Sequence, residues 1–82
     1  MEDKNLYTMA VLIEKRTSEA PDVQKVFTKY GNCIISRLGI HEFGDPDGFI
    51  SLNLRAHEDY IHEFSNELSA MDGVDVKIMK MK

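Results

Sequence analysis

Eighty-two residues, 43% hydrophobic and 29% charged, make one small globular domain over 1–82, fit neither the disordered nor the membrane class, and leave no room for a second core. The longest strongly apolar run, Met9 to Ile13, is far below the roughly 20 residues of a spanning helix, so no membrane partner is expected. A net charge of −4 opposes phosphate neutralisation and argues against direct DNA binding, even with Lys77, Lys80 and Lys82 clustered near the C-terminus.

The opening Met-Glu-Asp-Lys-Asn is acidic and carries no apolar h-region, and the chain has a single cysteine, so a cytoplasmic location is expected. From Leu6 to Ile13 nearly every residue is apolar, with Tyr7, Met9, Val11 and Ile13 on one side and Leu6, Thr8, Ala10 and Leu12 on the other. A strand apolar on both faces is usually central and covered twice. The polar stretch Glu14–Ser18 leads to a helix predicted over about 19–30, with Ser18 as N-cap and Val23, Val26, Phe27 and Tyr30 as its inward stripe. Gly31 is expected to stop that helix in the left-handed conformation. Cys33 to Ile40 reads as a strand, with Ile34, Ser36, Leu38 and Ile40 on one face and Cys33, Ile35, Arg37 and Gly39 on the other.

Gly44-Asp45-Pro46-Asp47-Gly48 has the chemistry of a reversing turn. Ile50, Leu52 and Leu54 then alternate with Phe49, Ser51, Asn53 and Arg55, the pattern of an antiparallel strand with one dry face. His57 to about Ala70 reads as a second helix that buries Tyr60, Ile61, Phe64, Leu68 and Met71. Its cap is poor because Ala56 offers no acceptor. Asp72-Gly73 ends it, and Val74, Val76 and Ile78 alternate with Asp75, Lys77 and Met79 in a last strand.

The order β-α-β-β-α-β is that of an α+β ferredoxin-like fold: a four-stranded antiparallel sheet with two helices on one face. The other face is left uncovered, with Met79, Met81, Cys33, Ile35 and one side of the first strand expected there as an apolar patch. Self-association, as a dimer or tetramer, is the expected cover.

Glu14-x-Arg16, Tyr30-Gly31-x-x-Ile34-Ile35-x-Arg37-x-Gly39-Ile40, Ile50-Ser51-Leu52, Leu68 and Gly73-Val74-x-Val76-Lys77 together resemble the iron-only hydrogenase system regulator family. The resemblance implies an ACT-like domain, similar in fold to the C-terminal domain of nickel-responsive repressors. It also implies an oligomeric, non-catalytic regulator, transcriptional or metabolic, with a small-molecule effector or a protein partner. The matched polar and glycine positions Glu14, Arg16, Arg37 and Gly39 are the candidate ligand-binding residues. Two features depart from the related patterns: His41 has no second histidine two residues on, and Glu14 to Pro21 lacks the glycine of amino-acid-binding ACT loops.

No cofactor, metal site or catalytic residue is expected. Glu58 with His62, and His41 with Glu42, are two-ligand pairs that fall short of a site. Cys33 reads as a buried structural thiol. Arg37 reads either as an edge-strand charge that deters aggregation or as an anion or interface contact on the open sheet face. The alternative to a regulator is a small ferredoxin-like enzyme, or enzyme subunit, using that open face.

Overall fold

The computed structural model describes residues 4–14, 20–40 and 47–82. The elements are β1 (Asn5–Ile13), α1 (Ala20–Lys29), a 3-10 turn (Gly31–Cys33), β2 (Ile34–Ile40), β3 (Gly48–Ala56), α2 (Glu58–Ser69) and β4 (Val74–Lys80). All strand pairs are antiparallel, in the order β2-β3-β1-β4. This is the expected ferredoxin-like sheet, and the doubly apolar β1 lies inside it, flanked by β3 and β4. No helix among the described residues is long and apolar enough to cross a membrane.

The pleat sorts β1 between two environments. Tyr7, Met9, Val11 and Ile13 are buried with Ile50, Leu52 and Leu54 of β3 and with Val23, Phe27, Ile61, Phe64 and Leu68 of the two helices. Opposite them, Ala10 pairs with Ser51 and Lys77, and Thr8 with Asn53 and Met79, on the face without helices. The β1–β4 pairing continues past the last strand residue, since the Met81 N–H donates to the Leu6 carbonyl at 2.7 Å.

The helices follow their apolar periods. Val23, Val26, Phe27 and Tyr30 are all buried, and so are Ile61, Phe64 and Leu68, while Tyr60 and Met71 pack partly buried against the core. Rings lock the two helices together: Tyr30 stacks on Phe64 at 4.7 Å, and Phe27 meets Phe64 edge-on at 6.1 Å. The Tyr30 hydroxyl donates a short hydrogen bond to Glu67, which Lys29 also pairs at 3.0 Å. That bond, aided by burial, pushes the Tyr30 hydroxyl up to about 12. Reciprocally, Tyr30 first and Lys29 second hold the Glu67 carboxyl below its usual range.

Several expectations need correction. Gly31 does not stop α1 in the left-handed region; the chain tightens into the 3-10 turn through Tyr30 at φ −103 and ψ 19. Among the described residues only Gly73 has a positive φ, 76°, where another residue would cost about 1–2 kcal/mol. The N-cap of α2 is His57, extended at φ −70 and ψ 150, and its side chain makes no capping bond. Cys33 lies in the 3-10 turn, 4% exposed in the core, and so leaves the open-face patch. Ser18 and most of the Gly44–Gly48 turn lie outside the described residues, and Gly48 itself opens β3 opposite Ile13.

The simple alternation expected for β2 fails at one residue. Ile34 pairs with Leu54 and Ser36 with Asn53, so two steps along β2 match one step along β3 and Ile35 is the extra residue of a β-bulge. Before the bulge, Ile34 packs against the core; after it, Arg37 stands opposite core-facing Leu52 and Ser36 opposite open-face Asn53.

Candidate functional site

Three of the four candidate ligand-binding residues are described, and they sit on different parts of the fold. Glu14 follows β1, and its N–H donates to the Gly73 carbonyl at 2.8 Å, which ties the exit of β1 to the turn before β4. Arg16 lies outside the described residues. Arg37 is on the helix side rather than the open face, a correction that follows from the bulge. Its Nη2 donates to Gln24 Oε1 at 3.0 Å, and its guanidinium lies 5.2 Å from the centroid of the Phe27 ring. It caps the core at the β2 edge, the place where a charge discourages strand addition. Gly39 pairs with Ile50, and a methyl group there would meet open space.

The paired metal-ligating types behave as ion pairs. Glu58 lies 3.8 Å from both Lys80 and His62, so its carboxylate is shared between the ammonium and the imidazole. Among the described residues no group of three or more His, Cys, Asp or Glu stands where it could hold a metal. His41 and Glu42 lie outside those residues. Burial pushes the Cys33 thiol up, which disfavours the thiolate that a nucleophile needs.

Two surfaces remain as candidates. The first is the helix-free sheet face. A polar stripe crosses it, from Thr8 Oγ1 to Asn53 Oδ1 at 3.1 Å and from Asn53 Nδ2 to Ser36 Oγ at 2.9 Å. On one side of the stripe, Ala10, Leu12 and Phe49 floor a depression of about 390 Å³ edged by Asp75 and Lys77. Met79, paired with Thr8 at the end of the stripe, and Met81 beyond it are 61% and 56% exposed, and Leu38 at 62%, opposite Ser51 on the β2 edge, adds to the apolar surface. The second surface is a depression of about 200 Å³ at the far end of the sheet, where Lys4, Arg55 and His57 meet Asn32, Cys33, Ala56 and Tyr60. Sequence reasoning missed it because its residues come from three separate stretches of the chain, around residues 4, 32–33 and 55–60. The signal available was the run Arg55-Ala56-His57, two bases at a strand end in an acidic chain.

The architecture is that of a ferredoxin-like α+β domain. The chain belongs to the TM1266-like family, described as "Iron-only hydrogenase system regulator, putative", whose model matches residues 5–78. The structure of the uncharacterized protein TM1266 from Thermotoga maritima is similar over 98% of this chain and 100% of that one, at 25% identity and a TM-score of 0.91. The C-terminal domain of the MgtC protein from Mycobacterium tuberculosis matches at 16% identity and a TM-score of 0.72, covering 99% of this chain and 92% of that one. A formyltetrahydrofolate deformylase from Pseudomonas putida KT2440 shares the fold over 92% of this chain and 28% of its own, at 11% identity and a TM-score of 0.60. No curated protein matches the sequence.

Proposed function

We propose that this chain is a non-catalytic regulatory domain of an iron-only hydrogenase system, which works by self-association and by binding a small effector or protein partner. The family supports the regulatory part of the reading. The observation that carries the self-association is the helix-free sheet face, where exposed Leu38, Met79 and Met81 surround the half-buried Leu6, Ala10, Leu12 and Phe49. Asp75 and Lys77 stand two apart on that face, so a two-fold axis can pair each with the other's copy. In this reading Glu14, Arg37 and Gly39 serve the fold, and the effector binds elsewhere.

The test is sedimentation velocity at micromolar concentration on the unmodified chain and two variants. Met9 is wholly buried, so Met9→Lys charges the core and unfolds the domain. Ala10 faces the other way, so Ala10→Lys yields a folded monomer. An unmodified chain that sediments as a stable monomer overturns the self-association and returns the open face to the enzyme alternative.

A further inference from the structure

We propose that the depression at the far end of the sheet binds a small organic carboxylate, which names the effector class for the reading above and deepens it. The whole chain is acidic, with 14 carboxylate residues against 10 Lys and Arg. Yet among the described residues the lining of this hollow contains Lys4, Arg55 and His57 and no Asp or Glu. Lys4 and Arg55, brought together at this hollow, concentrate a counter-ion there.

The strand pairing builds the cluster. Asn5 sits opposite Ala56 and Leu6 opposite Arg55, so Lys4, one step before β1, comes alongside the end of β3. Arg55 and Lys4 enter no ion pair among the described residues, unlike Lys29, Lys25 and Lys80, which are paired with Glu67, Asp22 and Glu58. Glu58, the carboxylate nearest Arg55 in sequence, already lies 3.8 Å from His62 and Lys80. A guanidinium in this state is suited to a carboxylate, which it can hold through two parallel N–H donors.

The rest of the lining argues for an organic body behind the charge. Buried Ala56 and Cys33 and the half-buried ring of Tyr60 form an apolar wall, and the Asn32 amide adds a donor and an acceptor at the rim. About 200 Å³ holds a ligand of roughly ten heavy atoms or fewer, below the 300–1,000 Å³ of drug-sized sites. A fully solvated inorganic phosphate would leave that wall unused.

The experiment is an amide NMR titration of the full chain with benzoate, and with benzamide and inorganic phosphate as the uncharged and inorganic counterparts. Benzoate is expected to give saturating shifts at Asn32, Cys33, Arg55, His57 and Tyr60. Arg55→Gln should weaken its binding about tenfold or more, as loss of a charge-assisted pair does, and Lys4→Gln should weaken it less. Equal shifts from benzamide, shifts from phosphate but not benzoate, no saturation, or indifference to both substitutions each overturn the proposal. Sedimentation of the same samples separates the two readings. A monomer that still binds benzoate refutes self-association alone, whereas an oligomer that ignores benzoate refutes only the pocket.

Discussion

Tyr30 and Glu67 set a pH window for the domain. The hydroxyl is raised from 10.0 to about 12, so folding favours its protonated form. That contribution is fully present below pH 10 and is lost as the pH rises through about 12. Glu67 has the opposite sign: its lowered carboxyl contributes above the ordinary carboxylate range and fades as the pH falls through the depressed value. Both limbs report one hydrogen bond and are not to be added. Ultraviolet titration of the folded protein should show one of its three tyrosines ionising near 12, and Tyr30→Phe should remove that component and lower the urea midpoint at neutral pH. The absence of any component ionising near 12 would refute the assignment. The stripe that carries Tyr30 was visible in the spacing of Val23, Val26, Phe27 and Tyr30. Its partner was not, because Glu67 lies 37 residues away on another helix.

At the scale of elements, the bulge in β2 decides what the sequence pattern left open. Both helices, β3 and β4 were legible because their apolar periods are local and unambiguous, and β1 because a short run apolar on both parities reads as a strand covered twice. In Cys33–Ile40 apolar residues fall on both parities, so nothing in the pattern marks where one parity hands over to the other. Register is the casualty: an extra residue at Ile35 puts Arg37 over Phe27 instead of on the open face. Ile35 is 58% exposed at the sheet edge, and Ile34 and Ser36 already pair with adjacent residues of β3. Deleting Ile35 should therefore preserve the downstream ladder, whereas deleting Leu38 would turn Gly39 and Ile40 to opposite faces. We expect the first deletion to fold by circular dichroism with a few degrees' change in Tm, and the second to unfold. The straightened edge of the first should also be more prone to strand addition, read as concentration-dependent aggregation. Equal loss of structure in both deletions would refute the bulge as a separable insertion.

For the molecule as a whole, one sheet must serve two environments with helices for only one of them. Uncovered apolar area costs roughly 25 cal/mol for each Å², and a standard interface hides about 800 Å² per partner. That arithmetic could be set up from the doubly apolar run Leu6–Ile13, but which face was wet could not. The pairing of Ala10 with Ser51 and Lys77 decides it. The site was less legible than the fold, since a pocket assembled from a strand start, a turn, a strand end and a helix start has no one-dimensional signature. The ring contacts described for the helix seam reach that pocket: Tyr60 lines it and meets the Tyr30 ring at 5.0 Å and 67°. With no tryptophan in the chain to mask them, this tyrosine pair is expected to contribute to the near-ultraviolet optical activity. The protein thus carries its own chromophore beside the hollow, and occupancy can be followed in unlabelled solution as a change in the circular dichroism of two rings.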